Sequence, residues 1–334
     1  MTNIGRMNLE GTLTGKYDKT DGKTHTNVEV IIPTLNEGDS IEEVIRDIKR
    51  LNSTLPVQLS ILVVDGGSTD NTLEVCKNES INLIMQNGRG KGRAMRQAVD
   101  NSHADIVVFM DGDGTYSASE LELLLRPLLD GTADMVVGSR TMTGKNKRAV
   151  TKVNKIGNKL FNKSINFALG SSVSDSLSGY RAMYRKVFDD FILFSDEFEI
   201  EVEITVEALA NGLRIVEVPV DYRERKELAR TKLHPYRDGV KIGKALLFIL
   251  MNVNPLKFFG LISLCFFMLG LYPASFVIYE KVVLGNIIHI PSVIFASLLF
   301  VMSAISLVLG SISELIVRSR RRSEYLIRRA ISKK

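Results

Sequence analysis

Two aspartates separated by one glycine follow a short apolar run in the middle of the sequence. The run is VVFM at residues 107–110, and Asp111-Gly112-Asp113 comes directly after it. Because four consecutive apolar residues are typical of a buried strand, we expect the two carboxylates at a strand end that faces a cleft. Carboxylates at this spacing can share a hard divalent ion that keeps open positions for substrate phosphates. An ordinary Asp-Gly turn is the alternative, so the metal-binding hypothesis depends on the neighbouring motifs.

Two further segments combine glycine with acidic or basic residues. DGGSTD at residues 65–70 offers a carboxylate that can accept hydrogen bonds from a base, with glycines that allow a ligand to approach closely. Its alternative is a turn before a helix cap. NGRGKGR at residues 87–93 places cations just before a predicted helix, where they suit phosphate, although a solvated basic turn is the alternative. Neither segment has the spacing of a dinucleotide or Walker-type loop.

Alternating short β-branched runs and helical periods must position these motifs. The predicted strands are Val28–Ile32, Ser60–Val64, Ile106–Met110, Met135–Val137 and Ile215–Val218. The predicted helices are Ser40–Leu51, Thr69–Asn78, Lys91–Asn101, Ser119–Leu129 and Lys152–Leu169. This alternation predicts an α/β fold with an open, largely parallel sheet covered by helices on both faces. In such sheets ligands bind beyond the carboxyl ends of the strands, which is where the motifs lie.

Two long uncharged stretches near the end of the sequence predict a transmembrane hairpin. They are residues 258–279 and 291–313, and each is long enough to cross the hydrocarbon core of a bilayer. Basic residues precede the first stretch and follow the second, so the positive-inside rule predicts that the folded domain and both termini are cytoplasmic. Residues 236–256 are expected at the membrane interface, with an amphipathic helix packed on the folded domain as the alternative.

The formal net charge of +5 arises near the predicted membrane segments and not on the folded body. Residues 318–334 contain eight basic residues and one acidic residue, so the remainder of the chain is slightly acidic. A nucleic-acid-binding domain would carry its positive charge on the folded body, which excludes that class. The two cysteines, Cys76 and Cys265, provide neither a disulfide framework nor a zinc cluster. Residues 1–27 lack an apolar signal segment and are expected to be a disordered polar lead-in.

Six motifs in this order resemble those of inverting family 2 glycosyltransferases. They are PTLNEGDSIEEVI, VVDGGSTDNT, GKGRAM, FMDGDGTY, GSR and DSLSGYRAM. With the predicted hairpin, the chain is similar to dolichyl- or polyprenyl-phosphate hexose synthases in particular. The resemblance implies a GT-A type, Rossmann-like nucleotide-sugar-binding sheet followed by a two-helix transmembrane hairpin. The expected divisions are the lead-in 1–27, the catalytic domain 28–235, the interface segment 236–256, the hairpin 257–317 and the basic tail 318–334.

The resemblance also implies roles for individual residues. Nucleotide binding falls to Pro33, Leu35, Glu37, Asp65, Ser68, Lys91, Gly92 and Asp111. Asp111 and Asp113 are the implied ligands of Mg²⁺ or Mn²⁺. Acceptor binding falls to Arg140, Ser178 and Arg181, with Asp175 upstream of the last two. The implied catalytic set is Asp113, Arg140, Arg223 and Lys232, of which the last two belong to a loop that closes over the diphosphate.

Three features depart from the family pattern or add to it. Thr115 stands where relatives often have Gln, which puts a third metal contact from that position in doubt. The closing loop lacks the usual glycine before Lys232, which predicts a stiffer loop. The alternating acids Glu199, Glu201 and Glu203 are interpreted as the surface of a helix or strand, with a cluster of general bases as the alternative.

These features predict an enzyme that transfers a hexose from a nucleotide sugar, of the GDP-mannose or UDP-glucose type, to dolichyl or polyprenyl phosphate at the cytoplasmic leaflet. A phosphomonoester, with a second pKa of about 6, is already largely dianionic at neutral pH. Such an acceptor needs cations to hold it more than it needs a base. The expected partners are the nucleotide sugar, the lipid phosphate and the membrane, and a homo-oligomer is left open.

Three other functions make different demands on the sequence. A non-catalytic, membrane-anchored module would bind a sugar nucleotide without turnover, and the intact Asp111 and Asp113 argue against such degeneration. A processive polysaccharide synthase requires a QxxRW-type segment, which a chain without tryptophan lacks. A transporter requires a polar pathway, and the two predicted spans contain no charged residue.

Overall fold

The computed structural model describes residues 26–140, 162–167, 169–191, 193–197, 199–223 and 254–331, together with residues 159 and 251. These residues form two compact units. The first contains most of the chain up to Arg223, and the second contains Phe167, Leu169 and the residues from 251 onwards. Nearly all of the predicted lead-in, most of the interface segment and the closing loop with Lys232 lie outside the described residues.

In the part of the chain that the structure describes, seven strands form one sheet. They are β1 (Asn27–Thr34), β2 (Gln58–Asp65), β3 (Asn82–Met85), β4 (Ile106–Phe109), β5 (Met135–Ser139), β6 (Arg181–Tyr184) and β7 (Ile215–Pro219). Their order across the sheet is β3-β2-β1-β4-β6-β5-β7. Neighbouring strands are parallel except at β6, which runs antiparallel to both β4 and β5. The predicted α/β class is confirmed, and the sheet is mixed.

The strands β3 and β6 are absent from the sequence-based prediction, and each has a composition that explains this. β3 lies at the edge of the sheet, and its four side chains are half-buried or exposed. Its sequence, NLIM, lacks the run of β-branched residues that marks a buried strand. β6 is buried along its whole length but begins with Arg181, a residue type that is rarely buried without partners.

Helices cover the sheet of the first unit. They are α1 (Gly38–Leu51), α2 (Thr72–Asn78), α3 (Lys91–Asn101), α4 (Leu121–Leu129), α5 (Arg185–Phe188) and α6 (Ile200–Ala210). The predicted helix over residues 152–169 is helical at 159, 162–167 and 169, which are its described positions. In α1 the apolar residues Ile41, Val44, Ile45 and Ile48 recur at helical spacing, and all four are buried in the core. This stripe is the physical reason that the segment packs as a helix on the sheet.

The strand directions bring the sequence motifs to one edge of the sheet. β1, β2, β4, β5 and β7 run in the same direction, so the residues after each of them emerge at the same edge. Because β6 is antiparallel, its amino end lies at that edge as well, where Arg181 pairs with Phe109 of β4. The loop before β6, which carries Asp175 and Ser178, therefore reaches the edge where the Asp111 turn begins. This topology collects motifs that are far apart in the sequence.

The second unit is built around two long helices, α7 (Pro255–Tyr279) and α8 (Ile290–Ile331), with a π-helical turn at Glu280–Leu284 between them. The stretches Pro255–Leu284 and Ile290–Ser319 are long and apolar enough to cross a membrane, with mean hydropathies of 2.1 and 2.5. Only 17% and 22% of the residues in their most apolar windows are buried, so most of these side chains face outwards. The two stretches contain both predicted spans and are candidate transmembrane helices.

Small residues let these two helices approach each other. The hydroxyls of Ser263 and Ser303 lie 3.0 Å apart in the buried contact between α7 and α8. Gly270 faces the ring of Phe300, where a β-carbon would come within 3.1 Å of the ring. Close contacts through glycine and serine are typical of helix pairs in membranes, where lipid provides no hydrophobic force to drive association.

Candidate active site

The Asp111-Gly112-Asp113 turn lies directly beyond β4. Both aspartates are half-buried, and the glycine between them is buried. One carboxylate oxygen of Asp113 accepts hydrogen bonds from the backbone N–H of Thr115 at 3.0 Å and from its hydroxyl at 2.6 Å. A β-carbon at Gly112 would lie 2.9 Å from the Thr34 methyl group, so a larger residue there would force its neighbours to shift. Packing and these hydrogen bonds fix the turn, and Thr115 orients Asp113.

Lys91, at the start of α3, is held between two carboxylates. Its ammonium pairs with Asp111 and, at 2.7 Å, with Glu201 of α6. The side chain of Lys91 is 12% exposed and that of Glu201 is 5% exposed. Burial alone would lower the pKa of Lys91, but the charges of Asp111 and Glu201 raise it above its ordinary value. Lys91 is therefore a cation, and the three side chains form one connected charge cluster.

Two glycines shape the space around this cluster. A β-carbon at Gly179 would lie 2.8 Å from Oδ2 of Asp111 and 2.9 Å from Nζ of Lys91, so the loop before β6 contacts the cluster directly. Gly92 is one of the residues predicted to bind nucleotide. Its backbone N–H donates to the carbonyl oxygen of Asp196 at 2.8 Å, which attaches the start of α3 to the segment before α6.

Asp65, at the end of β2, is fully buried and directed towards its own loop. Its carboxylate accepts hydrogen bonds from the backbone N–H groups of Gly67 and Ser68, both at 2.8 Å, and from the Ser68 hydroxyl at 2.5 Å. Gly67 has a φ of 93°, a conformation that favours glycine. Asp65 and Ser68 thus shape the loop, and the recognition of a base by Asp65 stays a prediction.

The loop after β1 is attached to the loop after β2. The backbone N–H of Asn36 donates to the hydroxyl of Ser68 at 2.8 Å, and that of Glu37 donates to a threonine hydroxyl at the start of α2 at 3.0 Å. Pro33 is half-buried at the strand end, whereas Leu35 is 56% exposed. An exposed leucine on a well-attached loop suits an apolar contact with a ligand, in keeping with the predicted nucleotide-binding set.

Arg140 and Asp175 form a bidentate ion pair beyond β5. The guanidinium donates from Nε and from a terminal nitrogen to the two carboxylate oxygens, each at 2.9 Å, and the backbone N–H of Arg140 donates to the same carboxylate at 3.0 Å. Asp175 is fully buried and the Arg140 side chain is 17% exposed. The guanidinium carbon also lies 5.3 Å from the centre of the Tyr222 ring. These contacts hold a cation in one orientation.

Tyr116 connects the arginine pair with the Lys91 cluster. Its hydroxyl lies 3.3 Å from the Ser178 hydroxyl and accepts a hydrogen bond from the backbone N–H of Gly179 at 3.2 Å. Its ring centre lies 5.2 Å from that of Tyr222. Burial raises the pKa of Tyr116, so its side chain stays a neutral phenol. Through Gly179 it reaches Asp111, and through Tyr222 it reaches Arg140.

Ser178 and Arg181 lie in the interior, which differs from the acceptor contacts that the family resemblance implied. The Ser178 hydroxyl donates to the carbonyl oxygen of Gly138 at 2.6 Å. Arg181 is fully buried, and its guanidinium donates to the carbonyl oxygens of Ser178 at 2.6 Å and Glu201 at 2.8 Å. The structure gives both side chains a positioning part: they attach the loop before β6 to β5 and α6.

Arg223 is placed beside the aspartate turn by its backbone. Its N–H donates to the carbonyl oxygen of Thr115 at 2.8 Å, next to the bridge between Tyr116 and Tyr222. Its side chain is exposed. Lys232, the other cation of the predicted closing loop, lies outside the described residues.

Glu201 is the site residue that the sequence reasoning missed. The sequence pattern favours a surface position for it, but Glu201 is buried in the first turn of α6 and pairs with Lys91. Glu203 is also engaged, since its carboxylate accepts from the backbone N–H groups of Phe194 and Ser195, each at 2.9 Å. The available signal was the apolar composition of the rest of α6, which leaves little solvated surface for acids.

Comparison with known proteins identifies the family. The sequence model of glycosyl transferase family 2 matches residues 29–192. The glycosyltransferase AglJ of Haloferax volcanii is 38% identical to this chain over 295 residues, which cover 87% of this chain and 94% of that protein. The chain belongs to glycosyltransferase family 2. The predicted family is thereby confirmed.

Two other comparisons concern a further relative of this glycosyltransferase and a solved structure. A dolichyl-phosphate hexose transferase of Haloferax volcanii is 31% identical over 223 residues, which cover 67% of this chain and 93% of that protein. A solved structure of glucosyl-3-phosphoglycerate synthase from Mycobacterium tuberculosis, in complex with Mn²⁺, uridine diphosphate and glucosyl-3-phosphoglycerate, superimposes with a TM-score of 0.53 at 22% identity. It covers 68% of this chain and 79% of that one. This likeness concerns the fold, which is of the GT-A type.

Proposed function

We propose that this glycosyltransferase transfers a hexose from a nucleotide sugar to dolichyl or polyprenyl phosphate, with inversion at the sugar carbon. The observation that carries the proposal is the connection of the Asp111–Lys91 pair to the Arg140–Asp175 pair through Tyr116. In the first pair Asp111 follows β4 and Lys91 begins α3, and this pair suits a metal-bound diphosphate. In the second pair Arg140 follows β5 and Asp175 precedes β6, and this pair suits the phosphate of an acceptor.

Asp111 and Asp113 fit a divalent cation such as Mg²⁺ or Mn²⁺. Both are half-buried oxygen ligands on one fixed turn. Among the described residues, no three His, Cys, Asp or Glu side chains converge into a closed metal cage. An ion held here would therefore keep coordination positions for substrate phosphates, and it would neutralise charge on the departing diphosphate. The Mn²⁺ in the complex of glucosyl-3-phosphoglycerate synthase supports this choice of ion.

The nucleotide is proposed to lie over the loops that follow β1 and β2. Leu35 offers an exposed apolar surface there, and Asp65 with Ser68 holds the second loop in place. Lys91 lies at the inner end of this surface as a buried cation. In that position its ammonium can pair with a diphosphate oxygen, which holds the donor sugar close to Arg140.

A phosphate acceptor fits these cations without a general base. With a second pKa of about 6, the phosphomonoester is already a nucleophilic dianion at neutral pH. One of its oxygens attacks the anomeric carbon as the bond to the diphosphate breaks, and no proton has to be removed. Two anionic substrates must be held together, which requires cations. Arg140 is fixed for this purpose, and we add Arg223 and Lys232 to the proposed set.

The candidate transmembrane helices support a lipid acceptor. A lipid phosphate stays at the bilayer surface, so an enzyme that uses it benefits from anchoring in the membrane. The dolichyl-phosphate hexose transferase of Haloferax volcanii supports the same class of acceptor. The eight basic residues of the tail at 318–334 favour a cytoplasmic orientation for both ends of the hairpin and the catalytic domain.

The test is transfer of a labelled sugar to lipid by the purified full-length protein. The reaction contains Mg²⁺ or Mn²⁺, a polyprenyl phosphate and a panel of labelled nucleotide sugars, including UDP-glucose and GDP-mannose. We expect a labelled product that partitions into chloroform, and we expect Asp113→Asn to abolish it. Asp130→Asn is the matched control, because Asp130 is exposed beyond α4 and lies outside the site.

Two results would reject the proposal. Product formed equally well by Asp113→Asn would show that the aspartate turn has no part in the reaction. Nucleotide binding by calorimetry without transfer from any donor would favour the non-catalytic binding module instead.

A further inference from the structure

Glu201 is a buried carboxylate for which the proposed mechanism has no use. One of its oxygens lies 2.7 Å from Nζ of Lys91. Its other oxygen, Oε2, is buried and has no hydrogen-bond partner among the described residues. A buried carboxylate with an unpartnered oxygen is energetically unfavourable, so packing alone does not account for Glu201 at this position. The ammonium of Lys91 is what it faces.

The backbone of Glu201 is fixed by hydrogen bonds to its carbonyl oxygen. The carbonyl oxygen of Glu201 accepts hydrogen bonds from the Arg181 guanidinium at 2.8 Å and from the Thr205 hydroxyl at 2.9 Å. Lys91 carries its charge on a flexible four-carbon chain. When a ligand competes for either member of the Lys91–Asp111 pair, Lys91 can remain paired with the Glu201 carboxylate.

We propose that Glu201 is a positioning residue that acts through Lys91 on the charge of Asp111. Asp111 is paired with the Lys91 ammonium, so a divalent cation must compete with that ammonium for the Asp111 carboxylate. Glu201 weakens the competition, because it leaves Lys91 with an anion after Asp111 turns to the ion. The inference rests on the proposed function in one respect, namely that Asp111 binds a cation during the reaction.

Two substitutions should therefore shift cation affinity in opposite directions. Glu201→Gln leaves Lys91 with Asp111 alone, so the affinity for Mn²⁺ should fall by about tenfold. Lys91→Met removes the competing ammonium, so the affinity for Mn²⁺ should rise by about threefold or more. In Lys91→Met/Glu201→Gln the residue through which Glu201 acts is gone, so the affinity should equal that of Lys91→Met. A merely structural part for Glu201 would instead make Glu201→Gln lower the affinity in the Lys91→Met background as well.

The measurement is electron paramagnetic resonance of free Mn²⁺, titrated with the full-length protein in detergent and without nucleotide. Glu199→Gln is the matched control, because Glu199 is exposed and immediately precedes α6. It should leave the affinity unchanged. Equal affinities for Glu201→Gln and the unchanged protein, or a loss of affinity in Lys91→Met as well, would overturn the inference.

A separate readout distinguishes this inference from the proposed function. Opposite shifts in Mn²⁺ affinity without hexose transfer from any donor would retain the part of Glu201 and reject the lipid-phosphate transferase. Hexose transfer by the unchanged protein, together with Mn²⁺ affinities that are the same in all four proteins, would retain the transferase and reject the part of Glu201.

Discussion

The carboxylate of Asp175 holds the Arg140 guanidinium at two distances of 2.9 Å, and this pair is itself held by Glu217 of β7. The Glu217 carboxylate accepts from the backbone N–H of Asp175 at 2.9 Å and from that of Ser174 at 2.9 Å. The loop that carries Asp175 is therefore fixed from β7, and Arg140 is fixed from the loop. The cation is therefore oriented in advance, which in the proposed function lowers the entropy that acceptor binding must remove.

Replacing Asp175 with asparagine tests how much this buried pair stabilises the fold. Asp175 is fully buried, so Asp175→Asn should lower the free energy of unfolding by about 3 kcal/mol. Asp189→Asn is the matched control, because Asp189 also lies 2.9 Å from an arginine, Arg185, but is 53% exposed. Its loss should be about 1 kcal/mol or less. Urea unfolding measures both, and equal losses would contradict the importance of burial.

Arg181 offers a test of its interior position. Arg181→Lys removes the planar group that donates to the backbone carbonyls of Ser178 and Glu201, so the free energy of unfolding should fall by about 2–4 kcal/mol. The KM for lipid phosphate should stay unchanged at a temperature where both proteins are folded. An increased KM with unchanged stability would instead place the acceptor on Arg181, as the family resemblance implied.

The fold could be predicted from the sequence where burial follows a local pattern. Strand β4 consists of four buried apolar residues, and α1 repeats its isoleucines and valine at helical spacing, so both are visible in short windows. The direction of β6 could not be read in this way. It depends on pairing with β4 and β5, which are distant in sequence, and its first residue is a buried arginine.

In the candidate site as well, local motifs reveal some residues and only the fold reveals the others. Asp111, Asp113 and Lys91 stand in short motifs whose residue types already indicate their chemistry, and the structure brings Asp111 and Lys91 together. Glu201 is 110 positions away from Lys91, and no local pattern marks their contact. Arg181 matches the family motif as well as its neighbours do, yet its burial is a property of the folded state alone.

Cys76 predicts a pH dependence of stability. Burial, and to a smaller extent the charge of Asp65, raises the pKa of this thiol from 9.0 to about 11. The neutral thiol is the form that the fold favours, so its contribution to stability is fully present below about pH 9 and is lost as the pH rises through about 11. Urea unfolding at pH 8 and pH 10.5, in a Cys265→Ser background, measures this effect. Relative to Cys76→Val, the protein with Cys76 should have a lower free energy of unfolding at pH 10.5 than at pH 8.

The comparison with Cys76→Val isolates the Cys76 thiol, and one outcome would contradict the prediction. Other groups titrate over the same range, but they do so in both proteins, and their effects cancel in the difference. A difference in the free energy of unfolding that is the same at both pH values would show that folding does not raise the pKa of the thiol.

Removal of divalent cations tests the part of the aspartate turn. Chelation with EDTA should reduce hexose transfer by about 100-fold or more, because charge on the departing diphosphate is then no longer neutralised. Mn²⁺ or Mg²⁺ should restore transfer in the unchanged protein but not in Asp113→Asn. The melting temperature should hardly change on chelation, since the turn is held by Thr115 and by packing at Gly112. Full transfer in EDTA would exclude a metal-dependent reaction.

Gly179 provides the sharpest test of the geometry around Asp111 and Lys91. A β-carbon at Gly179 would lie 2.8 Å from Oδ2 of Asp111 and 2.9 Å from Nζ of Lys91, both shorter than real β-carbon contacts. Gly179→Ala must therefore displace one of the two charged groups, and a displacement of about 1 Å at a reacting centre can reduce the rate by about 100-fold.

A substitution at Gly260 in α7 serves as the matched control for Gly179→Ala. A β-carbon there would have no atom within 4 Å, so Gly260→Ala should leave hexose transfer unchanged. If Gly179→Ala retained full transfer while remaining folded by circular dichroism, the reaction would tolerate a shift of Lys91 or Asp111. The reaction would then depend on the charges of these two residues and not on their fixed positions.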